Sequence, residues 1–196
     1  MTVPSPLTSD KSAIRDRLRA QRREYAASLA PKTRAALEQQ LADALEPLLF
    51  KASIVAAYFP MKDEISALPA LERAAAMGKI VALPAFADRD SRMTFRAGDA
   101  IQAGPWGILQ PAVAAPTVSP DLLLIPLIAV DRQGNRIGMG KGHYDRALPG
   151  LRNAGATLVG VGWDFQVVDE SLTPDPWDVP LDGFASPAGY QEFAHA

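Results

Sequence analysis

DLLLIPLIAV at residues 121–130, followed at once by DRQGNRIGMGKGHYD at residues 131–145, is the stretch that decides the fold. The first segment is almost continuously apolar, which is typical of a strand buried on both faces of a parallel sheet. Pro126 has no N–H to donate within a central strand, so we predict that the strand is interrupted or ends there. The glycine-rich turn leads into a predicted helix over residues 142–154, which completes a strand–turn–helix unit.

Outward from this unit, strands and helices alternate along the chain. Further strands are predicted over residues 53–59, 79–83, 93–96, 157–163 and, as the last one, 183–186. Further helices are predicted from Lys11, with Ser9 or Asp10 as its cap, from Pro31, and over residues 66–77. Residues 85–117 are less regular, and their glycines and prolines predict a loop or lid.

This alternation predicts an α/β protein with a single three-layer domain, whose central sheet is mostly parallel and has helices on both faces. In such sheets ligands bind beyond the carboxyl ends of the strands. That rule directs attention to residues 59–64, 84–86 and 131–145.

The length of 196 residues suits one domain, which we place at residues 11–196 after a disordered tail at residues 1–10. That tail lacks the basic and apolar segments of a signal peptide, and no stretch approaches the roughly 20 apolar residues of a membrane span. The chain has no cysteine, which excludes disulfides, Cys-bound zinc and thiol nucleophiles. We expect a cytoplasmic monomer that does not bind membranes.

The chain carries 20 basic and 22 acidic residues, a balance that argues against a dedicated nucleic-acid-binding protein. The charge is uneven, because residues 11–34 hold eight basic and two acidic residues, which leaves 12 basic and 20 acidic residues elsewhere. Two interpretations stand: the basic run is a solvated helix face, or part of it is an anion site on an otherwise acidic protein.

The glycine-rich turn is the strongest chemical signal. Gly138, Gly140 and Gly142 alternate, so backbone N–H groups can approach an anion without obstruction by a Cβ atom. Arg136 and Lys141 add positive charge, and the N-terminus of the following helix adds its dipole and free N–H groups. We predict phosphate binding here, although the spacing fits neither a Walker A loop nor the G-x-G-x-x-G motif. A tight strand–helix connection that needs glycine for positive φ is the alternative.

Five segments, taken in order, carry a recognisable pattern. They are KSAIR at 11–15, YFPMKDE at 58–64, WGILQP at 106–111, NRIGMGKGHYD at 135–145 and DVPLD at 178–182. Together they resemble the 5-formyltetrahydrofolate cyclo-ligase family, also called 5,10-methenyltetrahydrofolate synthetases, over about residues 11–186. The resemblance implies a Rossmann-like fold of the kind shared with sugar-phosphate isomerases and CoA-transferases.

The family reaction uses ATP with Mg²⁺ to convert 5-formyltetrahydrofolate to 5,10-methenyltetrahydrofolate, ADP and phosphate. The resemblance implies that the formyl oxygen attacks the γ-phosphate, and that folate N10 then attacks the activated carbon as phosphate leaves. It implies catalytic roles for Lys141, Arg136 and Tyr144, and Mg²⁺ binding by Asp145 and Asp178. It implies ATP binding by Lys11, Arg15, Arg136, Gly138, Met139, Gly140, Lys141, Gly142, His143 and Tyr144. We expect the other arginines of the first helix to face solvent.

The resemblance also implies a folate slot lined by Tyr58, Phe59 and Met61 and covered by Trp106. Glu64 would accept hydrogen bonds from the amino group and ring N–H of the pterin. Two positions depart from the family pattern. His143 replaces the usual tyrosine and adds an ionisable group near about pH 6–7, and Trp177 stands where many relatives have histidine.

Two other functions remain open on the residues alone. One is a sugar-phosphate isomerase or CoA-transferase-like enzyme, which also uses a glycine-rich anion loop. The other is a non-catalytic nucleotide- or RNA-binding relative, which the basic run at residues 11–34 would favour.

Overall fold

One eight-stranded sheet forms the centre of the protein in the computed structural model, which describes residues 11–194. The helices are α1 (Lys11–Ser28), α2 (Pro31–Lys51), α3 (Leu68–Ala76) and α4 (His143–Asn153). The strands are β1 (Ile54–Ala56), β2 (Ile80–Ala85), β3 (Thr94–Ala97), β4 (Gln102–Ala103), β5 (Leu109–Gln110), β6 (Thr117–Val118), β7 (Leu122–Pro126), β8 (Ala129–Val130), β9 (Arg136–Ile137), β10 (Thr157–Val161), β11 (Gly183–Ser186) and β12 (Gly189–Glu192). A short 3₁₀ helix spans Asp164–Gln166.

The sheet order is β12-β11-β10-β7-β1-β2-β3-β6. The five strands from β11 to β2 are mutually parallel, whereas β12 runs antiparallel to β11, β3 to β2, and β6 to β3. Two small hairpins, β4–β5 and β8–β9, lie outside this sheet. The predicted α/β domain with a mostly parallel sheet is confirmed.

Strand β7 shows why the sheet is covered on both faces. Its side chains alternate, with Leu122 and Leu124 in the core that includes α2 and α3, and Leu123 and Ile125 in the core that includes Leu148 of α4. All four leucine and isoleucine side chains are at most 2% exposed. Helices on both faces therefore produce the three predicted layers.

The predicted elements need three corrections. The strand predicted over residues 53–59 is only three residues long, Ile54–Ala56. The apolar run at 121–130 is two strands, since the chain leaves the sheet after Pro126 and β8 pairs with β9. The strand over 183–186 is not the last one, as β12 follows it. The predicted tail and the cap at Ser9 or Asp10 lie outside the described residues.

The exit from the sheet after Pro126 leaves backbone carbonyls in the dry interior, where each needs a donor. The Leu127 carbonyl accepts hydrogen bonds from Gln166 Nε2 at 2.7 Å and from Arg22 Nη1 at 3.3 Å. The Ile128 carbonyl accepts a second bond from Gln166 Nε2 at 3.1 Å. Side chains from α1 and from the 3₁₀ helix thus fix the point at which the β8–β9 hairpin begins.

Asp131 holds the turn of that hairpin and is 1% exposed. Its Oδ1 accepts from the backbone N–H groups of Gln133 and Asn135, both at 2.9 Å. Its Oδ2 accepts from the Asn135 side chain at 2.9 Å and from the Leu172 N–H at 2.8 Å.

No helix within residues 11–194 combines the length and apolarity that crossing a bilayer requires.

Replacing Asp131 by alanine should lower the free energy of unfolding by about 3 kcal/mol, because three backbone N–H groups and one amide lose their acceptor. Urea unfolding followed by circular dichroism measures the loss. Asp169→Ala is the matched control, since Asp169 pairs with Arg132 at an exposed site and should change stability by less than about 0.5 kcal/mol. Equal losses in the two variants would contradict this role for Asp131.

Candidate active site

The carboxyl ends of β1, β2 and β7 meet at one edge of the sheet and open into a cleft of about 660 Å³. Every residue predicted for the site lines this cleft. They are Lys11, Arg15, Tyr58, Phe59, Met61, Glu64, Trp106, Arg136, Gly138, Met139, Gly140, Lys141, Gly142, His143, Tyr144, Asp145 and Asp178. The structure therefore brings segments far apart in the chain around one space, and the role of each residue stays a prediction.

The glycine-rich turn joins β9 to α4, and its glycines differ in what the backbone demands. Gly140 and Gly142 have φ of +83° and +68°, which favours glycine, and Gly142 directly precedes α4. Gly138 is outside the left-handed region, and a Cβ atom there would have no neighbour within 4 Å. The backbone and the space around Gly138 therefore give no reason for glycine at this position, and its role in binding an anion stays a prediction.

The N-terminal half of α1 lies against this turn. Arg15 Nε donates to the Gly138 carbonyl at 3.0 Å. Lys11 Nζ bridges Asp175 at 2.8 Å and Asp178 at 3.2 Å. Burial lowers the pKa of Lys11, but the hydrogen bonds and charges of the two carboxylates outweigh it, so the pKa is raised overall and the ammonium is kept charged.

Arg136 is held beneath the turn with its side chain 5% exposed. Its Nη1 donates to the Val179 carbonyl at 2.9 Å, and its Nη2 forms a short ion pair with Asp145. Burial lowers the pKa of Arg136, while the charges of Asp145 and Asp178 oppose that shift. Lys141, in contrast, is exposed on the turn and has no hydrogen-bond or ion-pair partner within residues 11–194.

The segment that follows β1 places a buried carboxylate in the cleft. Glu64 is 6% exposed, and its Oε2 accepts from the Met61 N–H at 2.8 Å. Burial raises the pKa of Glu64, and the Met61 N–H and the Arg22 guanidinium oppose that shift. Tyr58 is also buried, and its hydroxyl donates to the Ile65 carbonyl at 2.5 Å.

Three rings pack together in the wall of the cleft. The centroids of Phe86, Trp106 and His143 lie 4.7–4.9 Å apart, which joins the irregular segment after β2 to the start of α4. Burial lowers the pKa of His143, and the charges of Arg146 and Lys141 lower it further. The imidazole is therefore mostly neutral at pH 7, so histidine at this position keeps a planar ring and adds little charge at that pH.

Two carboxylates on the cleft could hold a divalent metal. Asp145 and Asp178 both lie close enough to Arg136 to influence its pKa. Within residues 11–194, no group of three or more His, Cys, Asp or Glu side chains forms a metal cage. Mg²⁺ commonly uses one or two carboxylates and takes its other oxygens from phosphates and water, so this donor set fits that ion.

The sequence analysis missed some of the groups around the cleft. Arg19 and Asp175 also line it. The expectation that the remaining arginines of α1 face solvent is wrong for Arg22, which is 2% exposed. The signal was present in the sequence, because Arg22 lies four residues after Leu18 and eight after Ile14, on the apolar stripe of α1.

A cleft of this kind, at the carboxyl edge of a three-layer α/β sheet, belongs to an enzyme that acts on small molecules. Residues 7–187 match the model of the 5-formyltetrahydrofolate cyclo-ligase family. The chain belongs to that family, and so it is an enzyme of the ligase class.

Individual relatives agree with this membership. The 5-formyltetrahydrofolate cyclo-ligase of Haemophilus influenzae is 32% identical over 139 residues, which cover 67% of this chain and 74% of that relative. That of Escherichia coli is 29% identical over 181 residues, covering 87% and 99%. The NMR structure of the Aquifex aeolicus 5,10-methenyltetrahydrofolate synthetase has a TM-score of 0.77 and 27% identity, and covers 95% of this chain and 94% of that one.

Alanine substitutions at two glycines of the turn should differ in stability. Gly142→Ala should lower the free energy of unfolding by about 1–2 kcal/mol, because a Cβ atom is strained at positive φ and would lie 3.0 Å from Arg146 Nη1. Gly138→Ala should change it by less than about 0.5 kcal/mol. Urea unfolding of both variants measures the difference, and equal losses would show that the fold itself requires glycine at 138.

Proposed function

We propose that the protein converts 5-formyltetrahydrofolate to 5,10-methenyltetrahydrofolate in a reaction that consumes ATP and depends on Mg²⁺. The observation that supports this most is the composition of the cleft. The glycine-rich turn and five cationic side chains line the same space as aromatic side chains and the buried carboxylate of Glu64; the five are Lys11, Arg15, Arg19, Arg136 and Lys141. A polyphosphate and a pterin can therefore meet in one cavity.

The proposed chemistry has two steps. The formyl oxygen attacks the γ-phosphorus, the bond to the bridging oxygen of ATP breaks, and ADP leaves. N10 then attacks the activated formyl carbon, the bond from that carbon to the phosphorylated oxygen breaks, and inorganic phosphate leaves with its electron pair. The proton that N10 carried is released to the departing phosphate. Neither step needs a nucleophile from the protein, so catalysis depends on orientation and on stabilisation of charge.

The phosphate groups of ATP would take the positions that the turn and α1 surround. The backbone N–H groups from Gly138 to Gly142 and the N-terminus of α4 suit anionic oxygens. Lys141 is exposed, so its side chain can move with the γ-phosphoryl group during the transfer. Arg136 is held by the Val179 carbonyl and Arg15 by the Gly138 carbonyl. Donors held in place before the reaction stabilise charge that develops on the phosphoryl oxygens.

Asp145 and Asp178 would hold Mg²⁺, which when bound neutralises phosphate oxygens during the transfer. Each carboxylate already has a cationic partner, Arg136 for Asp145 and Lys11 for Asp178. On binding of ATP, Lys11 would turn to phosphate oxygens and leave Asp178 to the ion, while Arg136 would stay in place beside Asp145. Every charge would keep a partner in this exchange, which suits a site that must accept a large anion.

The folate would occupy the part of the cleft lined by Tyr58, Phe59, Met61 and Trp106. The Glu64 carboxylate is aimed into the cleft and can accept from the pterin amino group and ring N–H. Tyr144 lines the cleft within electrostatic reach of both Glu64 and Arg136, and burial raises the pKa of its phenol. We assign it to orienting the formyl group by donating its hydroxyl hydrogen.

The basic run of α1 is not an open cationic face. Lys11, Arg15 and Arg19 line the cleft, and Arg22 is buried. Arg17 pairs with Glu170 at 2.9 Å. These contacts support the anion-site interpretation of the basic run over RNA binding.

The expectations of a cytoplasmic monomer without nucleic-acid or membrane partners stay predictions.

Purified protein supplied with ATP, Mg²⁺ and 5-formyltetrahydrofolate should form the methenyl product, followed by its absorbance, together with one ADP per turnover. Omission of ATP, or chelation of the metal by EDTA, should stop product formation. A thermal shift with sugar phosphates but none with ATP and Mg²⁺, and no product from folded protein at any pH, would overturn the proposal and favour the isomerase-like alternative.

Lys141→Ala should lower kcat at least about 100-fold, because a charge beside the transferring phosphoryl group is lost. Its melting temperature should stay within about 2 °C of the wild type, since Lys141 is exposed and has no hydrogen-bond or ion-pair partner in the described part of the chain. Lys32→Ala is the charge-matched control on the exposed first turn of α2 and should keep wild-type kcat. Equal rates for the two variants would remove Lys141 from the mechanism.

A further inference from the structure

Arg22 is the buried charged group that the proposed function leaves without a role. It lies on the inner face of α1 and is 2% exposed, although it follows the apolar Ile14 and Leu18 on that face. A leucine or methionine at this position would continue the apolar stripe. Replacing a buried ion pair by well-packed apolar side chains is often neutral or stabilising, so stability alone does not explain an arginine there.

The contacts of the guanidinium group reach three separate segments. Nε donates to Asp63 Oδ2 at 2.9 Å, in the segment that follows β1. Nη1 donates to the Leu127 carbonyl at 3.3 Å, where the chain leaves β7, and lies 3.6 Å from Glu64 Oε1. Nη2 lies 3.8 Å from Met139 Sδ, inside the glycine-rich turn.

These segments carry the two halves of the cleft. Asp63 and Glu64 belong to the segment proposed to bind the pterin, and Met139 belongs to the turn proposed to bind the phosphates. A planar guanidinium with several fixed donors can hold such segments in one arrangement, whereas a lysine ammonium is a single point charge on a flexible stem.

We propose that Arg22 is a positioning residue that fixes the pterin-binding segment relative to the glycine-rich turn, so that the formyl oxygen and the γ-phosphorus meet in line. This inference rests on the proposed function. A loss of alignment of about 1 Å can lower a rate by roughly 100-fold, even when both substrates still bind.

Arg22 also acts on the charge of Glu64. Burial raises the pKa of Glu64 and the nearby Asp63 carboxylate raises it further, whereas Arg22 and the Met61 N–H lower it. The other groups near Glu64 are the phenols of Tyr58 and Tyr144, and Arg34, which donates to the Glu64 backbone carbonyl at 2.5 Å and pairs with Glu38. Loss of the Arg22 charge therefore raises the pKa of Glu64, and the carboxylate is lost at a higher pH.

The test compares Arg22→Met, Arg22→Lys and the adjacent exposed control Arg23→Met with the wild type. With both substrates saturating, Arg22→Met should lower kcat at least about tenfold, while the KM for ATP changes less than about threefold. The acidic limb of kcat/KM for 5-formyltetrahydrofolate should move to higher pH in Arg22→Met. Arg22→Lys should return the acidic limb to its wild-type position, because lysine keeps the positive charge. It should not restore kcat, because the ammonium lacks the several fixed N–H donors of a guanidinium.

If Arg22→Met does not fold, Asp63→Asn tests the same ion pair from the other partner. The Asp63 side chain is 21% exposed, whereas that of Arg22 is buried. Asp63→Asn should lower kcat in the same direction with a melting temperature near that of the wild type. Wild-type kcat and an unmoved acidic limb in folded Arg22→Met or Asp63→Asn would overturn the inference while leaving the proposed function intact. A wild-type protein without turnover would overturn the proposed function, and this inference with it.

Discussion

The buried strand β7 ends at Pro126, and the carbonyls of Leu127 and Ile128 that follow it accept their hydrogen bonds from side chains. Gln166 and Arg22 satisfy these carbonyls from two directions. Since an unsatisfied buried carbonyl is strongly unfavourable, Gln166, which donates to both carbonyls, holds the chain in position after β7, and Arg22 adds a longer bond to the Leu127 carbonyl. The β8–β9 hairpin and the glycine-rich turn extend from that point, and so the placement of the phosphate loop follows from how one interrupted strand is accommodated.

Pairing of opposite charges is the second constraint on the cleft. Lys11 lies between Asp175 and Asp178, and Arg136 is paired with Asp145. A cleft with several cations and carboxylates is stable without ligand only if these groups neutralise one another. The same groups suit the exchange of partners that ATP and its metal ion would bring, which connects the stability of the free protein to the function proposed for it.

Much of the fold is readable from local patterns. The periodicity of apolar residues indicated α1 and α2, and the continuous apolar run at β7 indicated a central parallel strand with helices on both faces. Pro126 marked the end of that strand, as expected for a residue without an N–H. The two-residue strands β4, β5, β6 and β9 were not predicted. Such short strands are defined by the neighbouring strand with which they pair, and they leave no periodic pattern in the sequence. Strand β12 was missed for a similar reason, since its pairing with β11 and not its composition defines it.

The sequence by itself determined the family, the class of fold and many of the residues that line the cleft, because each of these is carried by short segments whose side chains can be read locally. Only the tertiary structure decided which charges are free and which are held. Arg22 looked like one arginine among several on a basic helix, yet its partners are 41, 105 and 117 residues away along the chain. Burial is a property of those long-range contacts, and for that reason spacing within a helix could place Arg22 on the apolar face but could not say what it holds together.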